Sequence, residues 1–319
     1  MLYQLDCESD QDKAVAKEYG VRSYPTFIML NSDNETADRW VGYSKSYFLG
    51  TMESALTDLS SIDVKKARYE KEKTLNDAVV LGRYSNAMRE YKAAVDYYTV
   101  ANTMNTDTEK DYTYEIFGNT NRGVSDTGFS FDDVIVAADA VIASENVKFY
   151  TKIYTVQATV SRALKAENQE MVEKYINTGL KLVDGSDDDD AKLAYAELMV
   201  EHSLHITKDE TKAVEYKKMT LPEGWTEEAG GLNGFAWWCF ENKVNLVEAE
   251  TFARKGVELA EPGKNKAMIL DTVAEICNSL GKTEESVKVI KMAITENPDS
   301  KFYPEQLTRF EEIVATQNK

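Results

Sequence analysis

The placement of proline constrains this chain more than any other feature of its sequence. Pro25 is the only proline among the first 221 residues, and it stands between Tyr24 and the apolar run Thr26–Leu30. A proline directly before a strand marks a rigid turn, and such a proline is often cis. The polar cluster Asn31–Glu35 separates that run from Asp38–Val41, and this pattern predicts a β-hairpin.

Other predicted elements surround the hairpin. Residues 2–6 alternate between apolar and polar, which is typical of a strand. Gln11–Tyr19 is predicted as a short helix that Gly20 ends, and Tyr47–Leu59 as an amphipathic helix. Gly42 follows the last strand. The predicted order is therefore strand, helix, proline turn, hairpin, glycine and helix.

A family resemblance follows from this order and from two short motifs, Tyr-Gly-Val at residues 19–21 and Tyr-Pro-Thr at residues 24–26. Together they resemble the C-terminal half of thioredoxin-like proteins and imply a partial α/β domain over residues 1–60. The resemblance places Pro25 at the family's cis-proline position and the family's Cys-x-x-Cys dithiol upstream of Met1. An ordinary turn proline is the alternative for Pro25. No position here matches the dithiol, so thiol–disulfide exchange is assigned to no residue of this chain.

From residue 63 onward the chain reads as one helix after another. The first clear sign of a repeat lies within Leu81–Ala94, where small and aromatic residues recur as in the tetratricopeptide pattern. Small residues are needed where two antiparallel helices touch, and the aromatic residues fill the space beside them. The residues that match are Gly82, Tyr84, Ala87, Tyr91 and Ala94. This part of the chain therefore resembles tetratricopeptide repeats.

The same pattern returns in the second half of the chain. Asn233–Phe240 and Leu246–Leu259 form one predicted helix pair, and another lies near the end of the chain. The small residues expected at their close contacts are Ala236, Ala249, Gly256, Ala274, Gly281 and Ala293. Pro298 is expected to end the second helix of the last pair. Weaker pairs lie between, although a non-repetitive bundle could mimic that middle region. The fold class is thus a partial α/β domain followed by an all-α solenoid over residues 63–319, closed by a capping helix at Tyr303–Thr316.

Charge excludes two classes of ligand. The chain has 55 acidic and 37 basic residues and a net charge of −18, so nucleic acid and anionic membranes are not expected as partners. Most of these charges are expected on solvated helix faces, with a basic partner as the alternative.

The oligomeric state is left open. No secretory signal is visible, and the thioredoxin-like resemblance suggests a bacterial periplasmic or envelope parent, with the cytoplasm as the alternative.

The candidate chemical groups give little support to catalysis. None of the three cysteines has a partner at Cys-x-x-Cys spacing; they are Cys7, Cys239 and Cys277. The last two are expected to be buried, and the acidic neighbours of Cys7 argue against a reactive thiolate. His202 and His205 lack a visible third metal ligand, and the acidic run at residues 184–190 lacks calcium-loop spacing. The sequence therefore predicts no catalytic residue, no metal and no cofactor.

Two functions remain. The first is a protein-interaction scaffold, in which the solenoid groove binds a protein or peptide and the thioredoxin-like domain is truncated and redox-inactive. The alternative is a fragment of a thioredoxin-family thiol–disulfide oxidoreductase or isomerase, whose dithiol lies upstream of Met1. Trp237 and Trp238 lie about 100° apart on their helix, so one is expected in the core and the other on the concave face.

Overall fold

The computed structural model describes residues 3–6, 9–107 and 110–317. These residues divide into two compact units, Met1–Tyr175 and Ile176–Lys319. The strands are β1 (Thr26–Leu30) and β2 (Thr36–Val41). The helices that begin in the first unit are α1 (Asp10–Glu18), α2 (Lys45–Leu56), α3 (Ile62–Lys71), α4 (Leu75–Ala87), α5 (Tyr91–Met104), α6 (Thr113–Gly123), α7 (Phe131–Ala143), α8 (Phe149–Lys165) and α9 (Gln169–Val183).

The second unit is entirely helical in the part that the structure describes. A π-helical turn at Ser203–Thr207 follows its first complete helix, and a 3₁₀ turn at Trp225–Glu227 precedes its third. The helices are α10 (Asp189–His202), α11 (Glu210–Met219), α12 (Ala229–Asn242), α13 (Leu246–Leu259), α14 (Lys264–Ser279), α15 (Thr283–Glu296) and α16 (Phe302–Gln317).

The predicted hairpin is present. Strands β1 and β2 pair antiparallel, with Thr26 opposite Val41 and an irregularity between Met29 and Leu30. The Tyr24–Pro25 peptide bond is cis. Helix α1 begins at an N-cap, Ser9, whose side chain accepts a hydrogen bond from the Asp12 amide. The chain leaves α1 through Gly20 at a φ of +59°, a conformation that favours glycine.

The strand predicted at residues 2–6 is wrong for the part that the structure describes. Residues 3–6 carry no strand, and the Asp6 amide donates instead to a carboxylate oxygen of Asp12 at 2.8 Å. A strand is stable only when its backbone groups bond to a neighbour, and local alternation does not supply one. Leu2 and Cys7, which flank this segment, lie outside the described residues.

Buried ionic groups attach the hairpin to α3 and α4. Arg83 of α4 forms a two-bond ion pair with Asp38 of β2, and both side chains are almost fully buried, at 6% and 1% exposure. Lys65 of α3 is buried and donates to the carbonyl oxygens of Ala37, Asp58 and Ser60. The first helices of the repeat region therefore hold the hairpin in place.

Helices α4 to α8 form a stack in which each helix packs on the next. Alternate helices also meet directly. Arg122 of α6 donates to Asn86 of α4 at 3.4 Å, and Arg162 of α8 donates to the side chain of Asn121 of α6 at 3.0 Å. On the other layer, Tyr175 of α9 donates to Asp139 of α7 at 2.8 Å. Two layers of alternating helices are the arrangement of a helical repeat.

The small residues predicted at packing positions in the first unit are Gly82, Ala87 and Ala94. A Cβ atom added to Gly82 would lie 3.1 Å from the ring of Tyr98, so a larger residue there would press against that ring. Ala87 and Ala94 are buried, whereas Tyr84 and Tyr91 are half-buried.

In the second unit, the small residues on helices mark the contacts within one core. The fully buried ones are Ala236, Ala249, Ala274 and Ala293. Gly256 is also buried, and a Cβ there would lie 3.3 Å from the Ala229 carbonyl oxygen. Helix α16 covers the end of this core with Phe310, which is fully buried, as expected of a capping helix.

Gly281 lies in a turn and not at the predicted close helix contact, and Pro298 follows directly after the end of a helix. Gly281 is exposed between α14 and α15 at a φ of +75°, so the turn requires glycine for its backbone conformation and not for close packing. Pro298 is exposed one residue beyond the C-cap of α15, where proline cannot continue a helix.

Candidate functional site

The candidate site in the first unit is a surface formed by α4, α6 and α8, which we call the first-helix face. Three exposed tyrosines line it, and we call them the tyrosine row: Tyr114 of α6, and Tyr150 and Tyr154 of α8. Their exposed fractions are 36%, 62% and 55%. The rings of Tyr114 and Tyr154 meet edge to face, with centroids 6.3 Å apart. The row therefore continues from one helix to the next.

The sequence of α8 explains why two of these rings point outward. Tyr150 and Tyr154 are four residues apart and so lie one above the other on one side of the helix. The buried side carries Ile153, Val156 and Val160. Because the apolar side chains on that opposite stripe fill the core, the two tyrosines remain available at the surface.

The environment of Tyr114 keeps its hydroxyl protonated. Partial burial is the main cause that raises the pKa of Tyr114, and Tyr154 raises it further, whereas Arg122 opposes the change. A protonated phenol can both donate and accept a hydrogen bond. The row can therefore offer apolar ring surface together with polar groups at its edge.

A carboxylic acid lies close to the row on α6. Glu115 is partly buried, and this burial is the main cause that raises its pKa, while Lys110 opposes the shift. Glu115 also contributes to the raised pKa of Tyr98, for which burial is again the larger cause. The raised pKa values of Tyr98 and Glu115 favour the protonated, uncharged form of both groups.

Arginine–amide contacts hold the three helices of this face in register. Arg162 donates to the Asn121 side chain at 3.0 Å and to its backbone carbonyl at 2.6 Å. Neither Arg162 nor Arg122 forms an ion pair with a carboxylate among the residues that the structure describes. The contacts position α6 and α8 so that Tyr114 and Tyr154 can meet.

The residues considered for chemistry are not brought together. Cys239 and Cys277 are buried in the second unit, and Cys7 lies outside the described residues. His205 lies 3.2 Å from Glu201, and Asp188 of the acidic run caps α10. Of the residues with assigned positions, no three histidine, cysteine or acidic side chains form a group that could hold a metal ion. Nor is any helix in the described ranges long and apolar enough to cross a membrane.

Of the paired tryptophans, Trp238 packs against the core of the second unit. Trp238 packs on Phe235 with ring centroids 6.2 Å apart, and Lys217 lies 5.7 Å from its ring. Trp237 packs on Phe240 at 5.0 Å. Both rings are partly buried.

The tyrosine row was not predicted from the sequence. The available signal was the pair of tyrosines four residues apart, opposite an apolar stripe, in α8. That signal does not reveal that α6 adds Tyr114 to the same surface.

The solved structures that resemble this chain include two tetratricopeptide proteins of low sequence identity. A tetratricopeptide repeat protein from Parabacteroides merdae ATCC 43184 is 16% identical, with a TM-score of 0.46; the match covers 84% of this chain and 96% of that one. The TPR2AB domain of yeast Sti1, in a complex with pHSP90, is 11% identical, with a TM-score of 0.28; that match covers 77% and 98%. No protein-family model matches the chain, and no curated protein matches it either.

Proposed function

We propose that this chain is a protein-interaction scaffold whose first-helix face binds an extended peptide segment of a protein partner. The observation that carries the proposal is the tyrosine row, in which rings from two separate helices form one exposed surface. Tyrosine is enriched at binding interfaces because it supplies a large rigid contact area and a polar edge at low entropic cost.

Peptide selection followed by substitution tests this function. A peptide selected from a random displayed library against the whole chain should lose affinity by about ten- to a hundred-fold for the Tyr114→Ala, Tyr154→Ala double variant, because buried aromatic anchors dominate binding energy. Fluorescence anisotropy with the labelled peptide gives the Kd. Val136→Ala is the matched control, since Val136 is 70% exposed but lies on α7, outside the first-helix face.

The proposal fails if selected peptides bind the double variant and the parent chain with the same Kd. It also fails if Val136→Ala weakens binding as much as the tyrosine changes do. Circular dichroism of each variant separates lost binding from lost folding.

We infer that residues 1–60 form a truncated, redox-inactive thioredoxin-like domain, and that residues 63–319 form the repeats. The order α1, β1, β2 and α2 around Pro25 supports this reading. The competing function is a fragment of a thiol–disulfide oxidoreductase. The two described cysteines favour inactivity, because burial is the main cause that raises the pKa of Cys239 to about 12 and of Cys277 to about 11.

Insulin reduction distinguishes these two functions. We expect the chain to reduce insulin no faster than a simple thiol at the same concentration, because thiolates and not thiols attack disulfides. The Cys239→Ser, Cys277→Ser variant should behave identically. Turnover above that background, if it disappears in Cys7→Ser, would contradict redox inactivity and assign the activity to Cys7.

A further inference from the structure

The outer edge of β1 carries backbone groups that point away from β2. The Gly42 amide donates to the Pro25 carbonyl at 3.0 Å, so residues 25 and 42 form a hydrogen-bonded pair. Bonded and non-bonded pairs alternate along an antiparallel ladder. Thr26, Ile28 and Leu30 therefore direct their amide and carbonyl groups outward.

The two edges of this sheet differ. On the outer edge of β2, the Arg39 amide donates to the Asp38 side chain at 2.7 Å, and the Ala37 carbonyl accepts from Lys65 at 3.1 Å. On the outer edge of β1, no described residue bonds to the backbone of Ile28. An open edge of this kind is a template for another strand.

The side chains of β1 are compatible with such pairing. The strand contains no charged residue, and Leu30 is 37% exposed beside the open edge. Phe27 stacks on Trp40 across the hairpin with ring centroids 5.4 Å apart. An incoming strand would therefore meet an apolar, preformed edge.

Opposite charges lie beyond the two ends of β1. Arg22 is exposed at its beginning, and Arg89 donates to the Arg22 carbonyl at 2.7 Å and to Ser23 at 3.2 Å. Asp33 and Glu35 are exposed in the turn at its far end. Among the residues that the structure describes, none of these four side chains forms an ion pair.

We propose that the outer edge of β1 binds the same edge of a second copy of this chain, antiparallel, about a two-fold axis at Ile28. This register pairs Ile28 with its equivalent and Thr26 with Leu30 of the second copy, so every outward backbone group of the three residues gains a partner. It also brings Arg22 and Arg89 of each copy to Asp33 and Glu35 of the other. A two-fold interface needs such self-complementarity, and here both backbone and charge supply it.

This interface is separate from the first-helix face and does not depend on the proposed peptide binding. Sedimentation velocity over a wide range of protein concentration should show a monomer–dimer equilibrium. Ile28→Pro should abolish the dimer, because it removes a donor that points away from β2 and leaves the bonds within the hairpin intact. Ile28→Val, which keeps the amide, is the matched control and should dimerise like the parent chain.

A charge exchange tests the register even if the proline variant fails to fold. Arg22→Glu and Asp33→Arg should each weaken dimerisation roughly ten-fold, because each places like charges together. The two changes combined in one chain should restore it. The Tyr114→Ala, Tyr154→Ala variant should dimerise normally.

Three results would overturn the proposal. They are a monomer at every concentration, a dimer that persists in a folded Ile28→Pro variant, and a combined charge variant that stays as weak as the single ones. If the chain is monomeric but its Ile28 amide becomes protected from hydrogen exchange when an unrelated strand peptide is added, the edge binds a different occupant.

Discussion

Replacing Asp38 with alanine should lower the free energy of unfolding of the first unit by about 3–5 kcal/mol. The change removes the carboxylate that forms two bonds with Arg83 and leaves the arginine charge buried, at 6% exposure, without its partner. Removing one partner of a buried ion pair is costly because the remaining charge has lost its solvation as well. Urea unfolding followed by circular dichroism measures the effect.

An exposed acid provides the control for Asp38. Asp10 pairs with Lys13 on α1 at 3.5 Å, but its side chain is fully exposed. Asp10→Ala should therefore change the unfolding free energy by less than about 1 kcal/mol. If Asp38→Ala unfolds at the same urea midpoint as Asp10→Ala, the buried pair does not hold the hairpin against α4.

Replacing Asp271 with asparagine should stabilise the second unit at about pH 8, by about 2–4 kcal/mol. Asp271 lies on α14 with 8% exposure, and its Oδ1 has no hydrogen-bond partner among the described residues. Burial is the main cause that raises its pKa to about 7, and the neighbouring Glu275 adds to the shift. From α16, Arg309 opposes the shift, and the Tyr303 hydroxyl also faces this carboxyl group.

The sign of this effect follows from the direction of the pKa shift. An unfolded aspartate has a pKa near ~3.9, so between that value and about 7 the folded chain binds a proton that the unfolded chain has released. The stability associated with Asp271 is therefore fully present below about pH 4 and is lost as the pH rises through about 7. Asparagine mimics the protonated form, so the gain should disappear at low pH.

Thermal unfolding of Asp271→Asn across this pH range tests the prediction. Asp299→Asn is the control, because Asp299 is exposed in the turn before α16. A stability difference that stays constant with pH would contradict a raised pKa at Asp271. A loss of stability at high pH would show that the ionised carboxylate has a partner.

The sequence predicted several elements closely because their signals are local. The apolar run after Pro25 became β1 with the same bounds, and Leu246–Leu259 became α13 with the same bounds. In each case turn residues stand at both ends of a periodic segment, so neighbouring residues contain most of the information. The buried alanines, such as Ala249, follow from the same local pattern of small residues.

The strand predicted at residues 2–6 shows where local information is insufficient. Its alternation is as regular as that of a real strand, yet residues 3–6 are not in a sheet. Strand formation depends on hydrogen bonds to a partner, and the partner lies elsewhere in the chain or in another molecule. Helices satisfy their own backbone groups, and for this reason the helical part was predicted more reliably.

The sequence by itself determined the hairpin and the succession of helices, because each depends on spacing within a short segment. Only the tertiary structure decided which distant residues share a surface. Asp38 and Arg83 are 45 residues apart in the chain, and Tyr114 meets Tyr154 only because α6 and α8 lie side by side. The open edge of β1 was likewise decided in three dimensions, since an edge is defined by which strands are bonded to it.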